Sequence, residues 1–223
     1  MLLVLFDVDK TLFLNSDPLM GQATTAAIED VWGLELPDDA IRRVDHPGQT
    51  ATRIAREILR LEGLSDEEIE PALDRWCAEA SAHYLDLLDE ADTSDWRAPE
   101  GTAEALAQIE HRALLTGNPE LVARARMERL GLAEFFPPGQ GAFGCDAEDR
   151  AELIDIARRR AGDWPRERTV AVGDTEADVT GARRAGIHVI GFGPDPALAE
   201  ADAVIQRMEE LPTALEGLSA VTS

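Results

Sequence analysis

The 223-residue sequence predicts an α/β fold: a parallel, Rossmann-like sheet with an all-helical block inserted after the first strand. Three observations carry this. Short apolar runs recur, and several end in carboxylates, hydroxyls or glycine. Helical patterns stand between the later runs, the alternation of βαβ units. One stretch of about 80 residues breaks the alternation, showing helical patterns alone.

The elements follow in order. Residues 2–6 (Leu-Leu-Val-Leu-Phe) form an unbroken apolar run, as expected of a strand buried on both faces. Similar runs occur at 113–115, 169–172, 187–192 and 203–205. Between them, 120–130 begins just after Asn118-Pro119 and ends at Gly131, 146–161 ends at Gly162, and 178–185 ends at Gly186. Glycine is the residue that most easily takes the left-handed turn closing a helix. Within the inserted block, 50–61 presents Ile54, Ile58 and Leu61 at helical spacing. Ser65-Asp-Glu-Glu68 is a capping box, predicted to start one long helix running to about residue 89. Polar residues 92–99 end in proline, as expected of a hinge. The expected division is a core of 1–14 and 99–223, with 15–98 as a helical cap.

Composition excludes several classes of function. Lys plus Arg is 21 against 44 Asp plus Glu, a net charge of −23. Such an acidic chain is unsuited to nucleic acid or to an anionic membrane surface. No apolar run approaches the roughly 20 residues of a membrane span, and the N-terminal run has no basic flank. The expected setting is cytoplasmic. Cys77 and Cys145 lie in unrelated contexts without a CxxC pair, which removes zinc and redox-motif readings. Lys10 is the only lysine. The sequence carries no signal for an oligomeric state.

Open α/β sheets bind ligands beyond the carboxyl ends of their strands. There the first run is followed by Asp7-Val-Asp9-Lys-Thr11, the second by Thr116-Gly-Asn118, and the third by Gly173-Asp174-Thr-Glu-Ala-Asp178. Carboxylates suit a hard cation such as Mg²⁺, and free N–H groups at helix starts suit a phosphate.

At these residues the sequence resembles the haloacid dehalogenase superfamily, in its phosphoglycolate phosphatase-like branch with a helical cap. Asp7-Val-Asp9-Lys-Thr11-Leu12 matches the first motif, Thr116-Gly-Asn118 the second, and Gly173-Asp174 with Asp178 the fourth. Two departures stand out. Lys10 replaces the usual glycine, and the third motif, normally a lysine, has Arg150 at a spacing that suits the family.

The resemblance implies a Mg²⁺-dependent phosphatase acting on a small phosphorylated metabolite. Asp7 would be the nucleophile that becomes an aspartyl-phosphate, and Asp9 the general acid and base. Thr116, Gly117, Asn118 and Arg150 would hold the phosphoryl group. Mg²⁺ would be held by Asp7, the Asp9 carbonyl and Asp174, with Asp178 holding the metal or its waters. The basic stretch 42–53 resembles the substrate-facing part of the cap, implying contacts from Arg43, His46, Thr50 and Arg53. A sugar phosphomutase of the same fold is an alternative. A catalytically inactive binding or regulatory module is another, though the intact Asp7, Asp9 and Asp174 speak against it.

Overall fold

The computed structural model describes residues 1–221. In chain order the elements are β1 (Leu3–Phe6), α1 (Leu19–Trp32), α2 (Ala51–Leu61), α3 (Asp66–Ile69), α4 (Leu73–Glu90), α5 (Thr102–Ala107) and β2 (His111–Leu114). There follow α6 (Glu120–Arg129), α7 (Arg150–Arg160), β3 (Thr169–Gly173), α8 (Glu176–Ala185), β4 (His188–Phe192), β5 (Ala203–Ile205) and α9 (Leu211–Val221).

The five strands form one parallel sheet in the order β2-β1-β3-β4-β5. Alternation along each strand divides the core between two faces. Val4, Phe6 and Val172 pack on one side with Leu106 of α5, Met127 of α6 and Leu215 of α9. Leu3, Leu5 and Ala171 pack on the other with Leu153 and Ile154 of α7 and Val179 of α8. Phe6 stands beside both Leu114 and Val172, so β1, β2 and β3 finish level. That register brings three polar loops to one edge of the sheet.

The helical block, α1 to α4, leaves the chain after β1 and returns before β2. The single helix expected from Ser65 is broken into α3, a turn of 3-10 helix at Glu70–Ala72, and α4. Pro71 lies in that turn, lacks a backbone donor and cannot continue a regular helix interior. The third core helix starts at Arg150 rather than at 146, because Asp149 caps it by accepting from the Ala151 and Glu152 N–H groups. Likewise α8 starts at Glu176, set by a capping box between Thr175 and Asp178.

The block sits directly on the core. The Ala51 N–H donates to Gly117 O at 2.7 Å, and the Thr52 hydroxyl to Gly144 O at 2.8 Å. Arg56 Nε reaches Glu148 at 2.6 Å. The two cysteines, whose contexts gave no reason to pair them, join Cys77 of α4 to Cys145 of the core as a disulfide, with Cα atoms 6.2 Å apart. Lasting disulfides belong to oxidising surroundings, so this bridge stands apart from the cytoplasmic setting expected of the sequence. Among the described residues, no helix is long and apolar enough to cross a membrane.

The bridge predicts a redox-dependent stability. Its cysteines are 68 residues apart, and in the chain-entropy model such a loop contributes about 4 kcal/mol. Thermal melts with and without dithiothreitol should differ by several degrees, and Cys145→Ser should melt like the reduced protein. Coincident melts of all three would show that the bridge contributes nothing in solution.

Candidate active site

Asp7 follows β1 and is pinned by its backbone, whose N–H donates to Val172 O at 2.9 Å. Its side chain is buried and accepts from Arg150 NH2 at 2.9 Å. The same NH2 donates to Asp178, whose other oxygen accepts from the Thr175 N–H at 3.1 Å and the Thr175 hydroxyl at 2.7 Å. Asp174 directly follows β3, and oxygens of Asp7, Asp174 and Asp178 lie within 4.8 Å of one another.

Electrostatics follow from this crowding. Burial, then the neighbouring Asp178, pushes the Asp7 carboxyl well above the ordinary carboxylate range, against the pull of Arg150. Burial and Asp178 also push Asp174 up to about 6, with Lys10 acting in the opposite direction. Burial disfavours the Arg150 charge, but Asp178 and Asp7 outweigh it and hold its pKa above the usual value. The cluster is short of positive charge, and a hard divalent cation matches its all-oxygen donor set.

Arg150 is the focal side chain. It is 7% exposed, yet its Nε and NH1 have no hydrogen-bond partner among the described residues. A buried guanidinium with idle donors is costly unless a ligand completes it. Gly181 makes room for it, since a Cβ there would lie 2.6 Å from Arg150 Cγ.

The β2 loop supplies the other wall. Thr116 is fully buried, and its hydroxyl accepts from the Asn118 N–H at 3.2 Å and the Asn118 side-chain amide at 3.1 Å. The Asn118 amide also donates to Asp9. Lys10 takes a φ of 59°, the left-handed conformation that glycine adopts most easily.

Asp7, Asp9, Lys10, Gly117, Asn118, Arg150 and Asp174 line the core side of a cavity of about 730 Å³ between core and helical block, while Thr116 and Asp178 are buried and do not line it. Compared with known protein families, residues 1–186 match the haloacid dehalogenase-like hydrolases. The chain belongs to this family.

Among relatives of this haloacid dehalogenase-like hydrolase is a phosphoglycolate phosphatase of Mesorhizobium japonicum, 29% identical over 146 residues. That match takes in 57% of this chain and 62% of the relative's length. A β-phosphoglucomutase from Clostridium difficile superposes with a TM-score of 0.68 at 16% identity, over 98% of each chain. CbbY from Rhodobacter sphaeroides, in complex with phosphate, gives 0.67 at 19% identity, over 97% of this chain and 100% of that one. At these identities the two structures speak for the shared fold.

On the block side of this hydrolase's cavity, the residues expected from the sequence part company. His46 lines the cavity, its ring nitrogen held at Ile41 O. Arg43 instead pairs with Asp39 and Glu62, while its neighbour Arg42 lines the cavity. Thr50 is buried as the N-cap of α2, and Arg53 pairs with Glu57 at 3.1 Å on the exposed side. Sequence reasoning also missed Arg126 of α6, which is 2% exposed and donates through NH1 to Asp9 at 2.9 Å. Its place three and four residues after the buried Ala123 and Val122 puts it on the inward face of α6, but that spacing gives no sign of its partners.

Gly117 sets the seam between the two parts. A Cβ on Gly117 would stand 2.0 Å from the Gln49 carbonyl oxygen, a backbone atom. Gly117→Ala should therefore push the helical block off the β2 loop. The expected cost is about 1–3 kcal/mol of stability, read as a fall in Tm, together with a drop of about tenfold or more in kcat/KM from a displaced cavity wall.

Proposed function

We propose that this hydrolase is a Mg²⁺-dependent phosphatase that cleaves a small phosphomonoester through an aspartyl-phosphate on Asp7. The observation that carries the reading is Arg150: it lines the cavity, is bonded to Asp7, and keeps two buried donors without a partner among the described residues.

The oxygen donors of Asp7, Asp174 and Asp178 fit Mg²⁺, and the Asp9 backbone carbonyl would add a further oxygen ligand. When bound, it neutralises charge between the carboxylates and the phosphate and polarises a phosphoryl oxygen. The remaining work falls to the chain. Asp7 attacks phosphorus in line, the P–O bond to the leaving group breaks, and Asp9 protonates the departing oxygen. Asp9 then takes a proton from water as that water attacks the aspartyl-phosphate, freeing Asp7 and inorganic phosphate. Arg150, Thr116 and the Gly117 N–H hold the phosphoryl oxygens, while Asn118 orients the Thr116 hydroxyl by donating to it. The helical block serves as a cap that keeps bulk water from the cavity, and Arg42 and His46 face the rest of the substrate.

Release of inorganic phosphate from p-nitrophenyl phosphate and a panel of phosphorylated metabolites tests this. Mg²⁺ should be required, and Ca²⁺ should inhibit because its looser, larger coordination misaligns the attack. Full activity after EDTA treatment would overturn the reading. Because Asp174 is pushed up to about 6, protons compete with the cation below that pH. Mg²⁺ affinity, measured by calorimetry, should fall steeply as pH drops through about 6, and Asp174→Asn should flatten that dependence.

A further inference from the structure

Arg126 is the most deeply buried arginine near the site, and the mechanism above leaves it without a task. It lies in the middle of α6, 2% exposed. Its guanidinium spans two carboxylates. NH1 donates to Asp9 Oδ1 at 2.9 Å, while NH2 and Nε donate to Asp17 Oδ2 at 2.9 and 3.1 Å. Nε also donates to the Tyr84 hydroxyl at 3.2 Å, and that hydroxyl donates to Asp17 at 2.7 Å. The rings of Phe13 and Tyr84 lie 5.1 and 5.6 Å from its central carbon.

The network joins three parts of the chain: the Asp9 loop after β1, the connection into the helical block at Asp17, and helix α4 through Tyr84. Burying a guanidinium is expensive. Placed only for stability, it needed no link to a half-exposed carboxylate in the reaction cavity. Yet one arm of the fork is spent on Asp9, whose side chain remains 53% exposed. Asp9's second oxygen accepts from Asn118. Two donors from different elements thus fix the plane of the Asp9 carboxyl while leaving it open to the cavity. The planar fork can hold Asp9 and Asp17 together, which a point-charge ammonium cannot do in the same geometry.

We propose that Arg126 is a positioning residue that aims the Asp9 carboxyl at the leaving-group oxygen and ties that aim to the helical block through Asp17 and Tyr84. The proposal rests on the phosphatase reading, in which Asp9 is the general acid. A misaimed acid slows substrates whose leaving group must be protonated far more than those whose leaving group departs unaided. A merely structural arginine, once lost, slows both alike.

The test compares kcat/KM for an alkyl phosphate and for p-nitrophenyl phosphate in the wild type, Arg126→Met and Tyr84→Phe. Arg126→Met should lose about 10²-fold or more on the alkyl phosphate, the scale of general acid catalysis, and under about tenfold on p-nitrophenyl phosphate. The loss should fall on kcat, with KM little changed. Tyr84→Phe should show the same selectivity at about three- to tenfold on the alkyl phosphate, the loss of one hydrogen bond in the network. Adding Arg126→Met to Asp9→Asn should bring little further loss on the alkyl phosphate, because Arg126 acts through Asp9. Equal losses on both substrates, or additive losses in the double variant, would overturn the proposal. If Arg126→Met does not fold, Tyr84→Phe decides: a selective loss supports it, and a uniform loss or none overturns it. A wild type that turns over neither substrate with Mg²⁺ would instead sink the phosphatase reading itself.

Discussion

Asp7→Asn should abolish turnover, by about 10⁴-fold or more, the scale of losing an enzyme nucleophile, while the protein stays folded. The amide keeps the size of the carboxyl, and its oxygen can still accept from Arg150 NH2, but it cannot form an acyl phosphate. Stability should move the other way. Burial and Asp178 push the Asp7 carboxyl above the ordinary range. In the metal-free wild type the folded state therefore binds this proton more tightly than the unfolded state. The sign follows: as pH rises from the ordinary carboxylate range toward the raised value, Asp7 withdraws stability from the wild type. Asp7→Asn has no such proton to lose. Its Tm should exceed the wild type's by a margin that grows with pH across that window, and Mg²⁺ should close the gap. Beryllofluoride with Mg²⁺ should form its adduct on Asp7 in the wild type. An adduct on Asp9, or a variant with appreciable activity, would remove Asp7 from its assigned role.

Arg150→Ala should cost about 10²- to 10³-fold in kcat, comparable with removing a preorganised donor from an oxyanion site. It should also cost about 3–5 kcal/mol of stability, because it leaves buried carboxylates without their cation. Both effects come from the same geometry, in which one nitrogen serves Asp7 and Asp178 together. Mg²⁺ should restore much of the stability and little of the rate, since the cation can replace the charge but not the phosphoryl contacts. Arg150→Lys should recover only part of kcat, because the fork's Nε and NH1 are gone. Arg159→Ala is the comparison: Arg159 lies on the exposed side of the same helix and should be near neutral. Wild-type kcat in Arg150→Ala would mean that the phosphoryl group is held elsewhere.

The architecture was legible because parallel strands buried on both faces leave unbroken apolar runs. Each of the five strands lies within two or three residues of its run. The motif residues at the ends of β1, β2 and β3 were legible for the same reason, since the level ends of neighbouring strands bring them together. Arg150 was singled out by its spacing from Asp174 within the motif set, not by its helix, which the sequence starts at 146 and the structure at Arg150. Arg126 could not be placed. Its burial depends on Asp9 and Asp17, more than a hundred residues away in sequence, and local periodicity carries no trace of such partners. Between Arg42 and Arg43, side chains on successive residues face different ways, and a short 3-10 segment leaves the choice to three-dimensional packing. The break at Pro71 was readable in principle, but a strong capping box at Ser65 obscured it.

The bridge between Cys77 and Cys145 changes the mechanics of the whole molecule. Without it, the helical block is joined to the core covalently by two adjacent connections alone, stitched to each other where Asn15 meets Asp95 and Arg97. A body hung at one place can swing about it like a door. Cys77 lies thirteen positions before the end of α4 at Glu90, which at 1.5 Å per residue sets the third fastening roughly 20 Å along the helix from that pivot. A door bolted that far from its hinge does not swing. While the sulfurs are joined, a molecule entering the cavity must use the mouth that already exists, and only cutting the bolt or bending α4 gives the block back its arc.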